Sequence, residues 1–338
     1  MDNEIITSAH GGGGTSTKNL IENIILQHLS NPVLDTLDDG ACIKVPGNDL
    51  VFTTDSFVVD PVFFPGGDIG KLAVCGTVND LAMQGAEPIY LSMGLIIQEG
   101  FPLLDLDKII RSAALVLNEL GISVVTGDTK VINRSKEGGI YINTAGIGVS
   151  VPGIDVHAAN ARPGDTVIIT GTLGDHGMAI MSKRNGLRFD SAIESDTAPL
   201  WPLIRLLTEA GIGSGIHVLR DPTRGGVAAA LCDISRTSGT GIIINEPLLP
   251  IKDEVRGACD LLGMDPLNVA NEGKALILCP ERVSERVLQI IRSHPQGKEA
   301  RVIGEVVSEH TGTVLLKTLI GGQRIVDMPG GEDLPRIC

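Results

Sequence analysis

Four aspartates in the first half of this chain stand at the ends or edges of apolar segments. They are Asp39 in Asp38-Asp39-Gly40-Ala41, Asp55 in Thr53-Thr54-Asp55-Ser56, Asp80 in Val78-Asn79-Asp80-Leu81 and Asp128 in Thr126-Gly127-Asp128-Thr129. Carboxylates placed this way suit Mg²⁺ and a polyphosphate, which take hard oxygen ligands. Any one of them reads equally well as a turn former or helix cap; four in one half shift the reading towards a cation site. Asn79-Asp80 is the sharpest case, because it lies inside an apolar helix-like run where a carboxylate is costly unless it is paired or metal-bound. Spacing does not separate Asp38 from Asp39, and Asp39 is preferred because it precedes the turn glycine.

Phosphate could also meet bare backbone. Gly11 to Gly14, ahead of Thr15-Ser16-Thr17, can wrap phosphates with N–H groups or serve as a flexible linker. In Asp221-Pro222-Thr223-Arg224-Gly225-Gly226 the aspartate is placed to cap the Ala-rich helix next in the chain, and Gly226 with the first amides of that helix is placed to receive phosphate. The stretch Gly66-Gly67-Asp68-Ile69-Gly70-Lys71-Leu72 has the wrong glycine spacing for a Walker loop and lacks its Ser/Thr. Since no G-x-G-x-x-G follows a strand, a dinucleotide fold has no support.

Three residues could move protons or carry groups. Glu272, in Asn271-Glu272-Gly273-Lys274, reads as a base or as a surface turn residue, and His176 as an acid/base or as a structural histidine. Cys338 differs from the other five cysteines, which read as small core residues without zinc or disulfide spacing. It ends a nine-residue Gly-Gly tail, so it is expected to pack against nothing and to act as a nucleophile or carrier. A tail of that length reaches up to ~30 Å at ~3.3 Å per residue. Arg336 is placed to hold a phosphate or favour the thiolate.

The elements that must position these groups are mixed. In the first half, strands are expected at 41–45, 50–59, 89–97, 123–126 and 140–149, with helices at 69–83 and 106–120 covering one face of the sheet. In the second, helices are expected at 175–184, 198–210, 224–236 and 281–292. Strands are expected there at 166–170, 242–245, 275–279, 301–307, 313–317 and 323–326. The pattern pauses near Val151-Pro152-Gly153. The expected organisation is therefore an α/β domain over 1–155, an α+β domain over 156–329 and a mobile tail over 330–338.

Composition narrows the function. The 338 residues carry 27 Lys plus Arg against 41 Asp plus Glu, a net charge of −14, and only six Phe, two Tyr and one Trp. Nucleic acid is not an expected partner of such a chain, which lacks both a basic footprint and stacking platforms. No run approaches the ~18 apolar residues of a membrane span, and the start Met1-Asp2-Asn3-Glu4 does not resemble a secretory signal, so no membrane partner and a cytoplasmic location are expected.

Taken together, Gly11 to Gly14, Asp39, Thr53-Thr54-Asp55, the run from Val78-Asn79-Asp80 to Glu87-Pro88, Gly127-Asp128-Thr129 and Asp221 to Gly226 resemble the PurM-like, aminoimidazole ribonucleotide synthetase-related superfamily. The ending Pro335-Arg336-Ile337-Cys338 is similar to the signature of its HypE family, which matures nickel–iron hydrogenases. The resemblance implies a two-domain PurM-like fold whose N-terminal domain forms a homodimer through a β-barrel-like sheet interface. It implies ATP with Mg²⁺ held by Asp39, Asp55, Asp80 and Asp128, and ATP contacts from Gly11, Gly12, Gly13, Gly14, Lys71, Asn79 and Gly226.

The implied activity is that of a carbamoyl dehydratase. A carbamoyl group from HypF is placed on Cys338, the S-carboxamide is dehydrated to S-thiocyanate, and cyanide passes to iron on HypC and HypD. On this reading Glu272 accepts the proton, and Lys130 or Arg336 steadies the phosphoryl group. The alternative is a superfamily kinase or synthetase acting on a free small molecule, like selenophosphate synthetase or thiamine-phosphate kinase.

Overall fold

The computed structural model describes residues 14–22, 34–39, 41–44, 49–133, 139–187, 193–330 and 337–338. Gly11, Gly12, Gly13 and Arg336 lie outside the described residues, as does most of the expected tail.

Helix α1 is short, Thr15–Leu20. The strands of the first half are β1 (Ala41–Lys44), β2 (Asp49–Phe57), β3 (Phe63–Phe64), β4 (Gly67–Asp68), β5 (Ala86–Gln98), β6 (Ser123–Ile132) and β7 (Ile140–Ser150). Five of them form a sheet in the order β1-β2-β7-β5-β6, and β3 and β4 pair separately as a small hairpin. β5 and β6 are parallel and the other pairs antiparallel. Helices α2 (Ile69–Met83) and α3 (Leu103–Leu120) connect them.

α2 starts where Asp68 accepts the N–H groups of Gly70 at 2.8 Å and Lys71 at 3.1 Å, a cap worth about 1 kcal/mol. It is apolar on nearly every face because it is enclosed between the sheet and the second half.

The strands of the second half are β8 (Asp165–Ile169), β9 (Val218–Arg220), β10 (Gly241–Asn245), β11 (Leu276–Pro280), β12 (Arg301–Val307), β13 (Val314–Lys317) and β14 (Gln323–Val326). They form a seven-stranded sheet in the order β14-β13-β10-β12-β8-β11-β9. The helices are α4 (Asp175–Arg184), α5 (Trp201–Glu209), α6 (Gly226–Ser238), α7 (Asp253–Leu262) and α8 (Glu281–Ser293). One core joins the halves, packing Val74, Cys75 and Val78 of α2 with Leu203 and Leu207 of α5 and Ile277 of β11. Among the described residues no helix is long and apolar enough to cross a membrane.

The sheet of the first half is open in a single chain, with β1 and β6 at its edges, so the expected barrel is not closed by one copy. β6 is longer than its apolar signal. It runs parallel to β5 from Ser123 past Asp128 and Lys130 to Ile132, because β5 supplies ladder partners along that whole length. Elements outside the sequence-based expectation include the two-residue strands β3 and β4, β9, three residues long and below any readable period, and α7, whose Val255, Ala258 and Cys259 are buried at helical spacing.

Candidate active site

Asp39 precedes β1, Asp80 lies in α2 and Asp221 follows β9, yet one carboxylate oxygen from each lies within 4.8 Å of the others. Thr53 of β2 joins them, its hydroxyl 2.8 Å from Asp80 Oδ2 and 3.0 Å from the Asp39 carbonyl oxygen. Arg220 Nε meets Asp39 Oδ1 at 3.2 Å, while Asp39 Oδ2 is buried without a partner.

Burial pushes Asp39 up to about 6 against the pull of Arg220, and burial followed by repulsion from Asp39 pushes Asp221 up to about 8. Asp80 is driven well above the carboxylate range by desolvation and then by Asp221, Asp39 and Asp55. Three desolvated carboxylates this close call for a cation or for protons. Asp55 borders the cluster and faces Arg224, 3.9 Å from its guanidinium; desolvation raises it too.

The sign of these shifts makes stability depend on pH. Between the unfolded carboxylate pKa near 4 and about 8, the folded chain without metal holds protons that the unfolded chain has released. Its stability is therefore expected to decline as pH rises through that window and to level off above it. A divalent cation, by replacing the protons, flattens the decline. Urea midpoints at about pH 5, 7 and 9 with chelator and with magnesium test this; equal declines in both series would contradict it.

Glu272 is no surface turn residue: it is 2% exposed. Its position is fixed through its own peptide and its neighbours. The N–H groups of Glu272 and Gly273 donate to the two oxygens of Asp196, each at 3.2 Å, and Lys274 Nζ lies 3.4 Å from the same carboxylate. A Cβ at Gly273 would come within 1.9 Å of the Asp196 carbonyl oxygen, so only glycine fits. Asn271 ties this segment to two others, accepting from Gly174 N–H at 2.8 Å and donating to Pro222 O at 3.0 Å. The loop holding Asp221 and the base candidate are thereby set in one frame.

Cys338 is corrected most. Expected to pack against nothing, it succeeds Ile337, which is 3% exposed in a core with Ile69, Met178, Ile180 and Val269. The apolar side chain just before the cysteine anchors the tip by its own burial. Cys338 as a residue is partly exposed, but its thiol is desolvated and lies close beside the Glu272 side chain. Desolvation drives the thiol well above its usual range, with Glu272 and Asp55 raising it further and Arg224 opposing. Glu272 is likewise raised, by burial and then by Asp221, Asp55 and Asp196, and its Oε1 is buried without a hydrogen-bond partner.

The remaining predicted residues are engaged within the protein. Asn79 spends its amide there: Oδ1 accepts from Leu200 N at 2.7 Å, and Nδ2 donates to Ala198 O at 3.1 Å and Glu272 O at 3.3 Å. Lys71 Nζ donates to Gly66 O at 2.9 Å. Gly14 is buried and its carbonyl accepts Lys18 N–H at 3.0 Å.

Gly226 gives its N–H to Thr223 O at 2.9 Å, so that donor is already used. A Cβ there would lie 2.4 Å from Leu267 O, which is the packing reason for the glycine. Asp221 does not cap α6; Gly225, at φ +77°, holds that position.

Asp128 and Lys130 are not brought to the cluster within one chain. They sit 2.8 Å from each other on the exposed edge strand β6, and each side chain is 68% exposed. The Lys130 and Thr129 donors lower Asp128. Sequence reasoning missed Asp221 as a cluster member, along with Ser195 and Asp196; the polar run Ser195-Asp196-Thr197 between apolar stretches is the signal that marks the last two.

Residues 37–150 match the N-terminal domain, and 162–317 the C-terminal domain, of the AIR synthase related proteins. The chain is 50% identical over 333 residues to carbamoyl dehydratase HypE of Rhizobium leguminosarum bv. viciae, covering 98% of this chain and 95% of that one. Among solved structures it is similar to a HypE–HypF complex at TM-score 0.86 and 50% identity, covering 92% of this chain and 99% of the other. It is also similar to a hydrogenase maturation protein HypE in complex with ATP, at TM-score 0.83 and 43% identity, covering 98% and 100%. With both halves matched and this identity spanning nearly the whole length, the chain belongs to the HypE family of carbamoyl dehydratases, hydrogenase maturation enzymes within the AIR synthase related proteins.

Proposed function

We propose that the enzyme dehydrates its own carbamoylated Cys338, turning the S-carboxamide into an S-thiocyanate from which cyanide is passed to iron. The observation that carries this reading is the Cys338 thiol lying against Glu272 beside the Asp39, Asp80 and Asp221 cluster. A protonated, desolvated thiol is a poor nucleophile. The docked position thus suits the dehydration step, and loading of the thiol with its carbamoyl group belongs to an undocked tail.

A primary amide loses its oxygen only when that oxygen is made a leaving group, and ATP supplies the phosphoryl group for this. Glu272 lies beside the thiol that would carry the carbamoyl group, and in its ionised form its raised proton affinity fits it to take an N–H proton as phosphate leaves and the C≡N bond forms. Arg224, facing Glu272, Asp55 and Cys338, offsets negative charge there.

The orphaned Asp39 Oδ2 and the all-oxygen donor set fit Mg²⁺, held by Asp39, Asp80 and Asp221 with Asp55 at the border. For ATP, which a relative holds in its solved structure, Lys71 and the Gly11 to Gly14 amides remain the proposed phosphate contacts, and Arg336 or Lys130 the proposed partner of the transferring phosphoryl group. Asn79 and Gly226 contribute through the positions they fix. HypF is the proposed donor, as the complex of a similar protein with HypF supports, and HypC with HypD the proposed acceptor.

We place the homodimer on β6 and its sheet face, where Tyr90, Ile96, Val125 and Val131 are exposed. Asp128 and Lys130 ride on that strand, so their part in the reaction runs through the second copy. A kinase acting on a free small molecule would give no use for a thiol set against the base.

Intact-protein mass tests the reading. With HypF, carbamoyl phosphate and ATP a gain of about 43 Da is expected, then a loss of about 18 Da when the isolated protein receives MgATP, and neither in Cys338→Ala. Carbamoylation without loss of water under MgATP would overturn it.

A further inference from the structure

His176 is completely buried, near the start of α4, and both its ring nitrogens are engaged. Nε2 lies 2.6 Å from the Ile337 carbonyl oxygen, and Nδ1 lies 2.7 Å from Ser195 Oγ. A carbonyl only accepts, so Nε2 carries the hydrogen. Ser195 Oγ receives the Thr197 N–H at 3.1 Å and lies 2.7 Å from Thr197 Oγ1; with Nδ1 bare it is the nearest hydroxyl able to donate to that nitrogen, Thr197 Oγ1 standing 3.4 Å away. Phe64 packs edge-on against the ring, with centroids 5.5 Å apart. Burial lowers the imidazole pKa, which fits the neutral ring that this bonding pattern requires.

The same short loop also holds the base. Ser195 orients His176, Asp196 receives the Glu272 and Gly273 amides, and Ala198 and Leu200 are bound by Asn79. From the other side, Asn271 holds Gly174 N–H just ahead of α4. His176 and Glu272 are thus fixed relative to each other twice, and the residue between His176 and the thiol is Ile337 alone.

We propose that His176 is the positioning residue of the tail: its Nε2–H grips the Ile337 carbonyl and sets Cys338 against Glu272, with Ser195 selecting the tautomer that does so. This deepens the dehydratase reading and rests on it. One neutral hydrogen bond exchanged against water is weak enough for a tail that must also leave. Loss of the grip should shift the tail outward, hindering the docked step and sparing the undocked one.

The test compares His176→Leu, His176→Gln and Ser195→Ala with the full-length wild type. Cys338 alkylation by iodoacetamide, located by peptide mass, should rise about three- to tenfold in His176→Leu, the worth of one hydrogen bond. Single-turnover dehydration should fall by a similar factor while carbamoylation by HypF is unchanged or faster. Ser195→Ala should move both readouts in the same direction by a smaller factor. His176→Gln, whose amide N–H reaches about as far as Nε2, should return both towards wild type.

Wild-type alkylation rates in Ser195→Ala and both His176 variants would overturn the proposal. So would dehydration and carbamoylation falling together with alkylation unchanged. If His176→Leu does not fold, Ser195→Ala and His176→Gln decide. The alkylation arm needs no dehydration chemistry, so it judges the grip even if the dehydratase reading fails.

Discussion

Glu272→Gln is expected to slow single-turnover dehydration of the carbamoylated protein by roughly 10²- to 10⁴-fold, the usual worth of a positioned general base. The substitution keeps size and buried polarity, and the peptide of residue 272 stays bound to Asp196 and Asn79 through backbone atoms that the change does not touch. Carbamoylation of Cys338 by HypF and ATP binding should therefore survive. Glutamine cannot accept the proton, so the loss should fall on kcat rather than on the concentration of ATP needed. The neutral side chain also removes a group that raises the Cys338 thiol, so alkylation of uncarbamoylated Cys338 should be no slower than in wild type. Rapid-quench intact mass separates these effects, and dehydration within about threefold of wild type would remove Glu272 from the role.

Asp221→Asn should abolish the ATP-dependent step to a similar extent through a different failure. Asp221 is one of three carboxylates sharing a site with Asp39 and Asp80, and its loss removes a third of the charge available to a divalent cation. The apparent requirement for magnesium should rise by one to two orders of magnitude, on the order of a lost metal-ligand contact. Asparagine also relieves repulsion, because Asp221 is the charge that raises Asp80 most and Asp39 the charge that raises Asp221 most. The metal-free variant should thus be as stable as wild type or more so at about pH 8, where the wild-type cluster is losing its protons. Chelator-treated melts and a magnesium titration of turnover report the two effects. Unaltered magnesium dependence would show that the cluster serves another purpose, and a destabilised metal-free variant would show that Asp221 acts as a structural anchor.

Much of the site is legible in the sequence because charge inside an apolar run is conspicuous. Asp80 stands in a helix that is otherwise buried nearly all round, and the cost of that placement points to a bound or shared charge without knowledge of any contact. Asp39 and Asp55 are legible for a similar reason, at the edges of strand-like segments. Asp128 gives the same local signal, Thr-Gly-Asp-Thr after an apolar stretch, and lies instead on a solvent-facing edge strand paired with Lys130. The strand or helix that each rides on separates Asp80 from Asp128, and local spacing carries no information about that.

The amino-acid sequence by itself determined the two mixed layers, through apolar periods of two and 3.6, and the acidic, aromatic-poor surface. It also determined the chemistry available, in its aspartates, Glu272 and final thiol. The tertiary structure decided which of these meet. Asp221 joins Asp39 and Asp80 only because β9 lies at the edge of the second sheet, where Arg220 reaches Asp39. Glu272 becomes a buried carboxyl set near the cluster because Asp196 and Asn79, 76 and 193 residues away, hold its peptide. Cys338 lies against it because Ile337 is buried and His176 binds the Ile337 carbonyl. Each is a long-range contact, fixed by burial and by the need to satisfy buried polar groups, and neither constraint exists until the chain has folded.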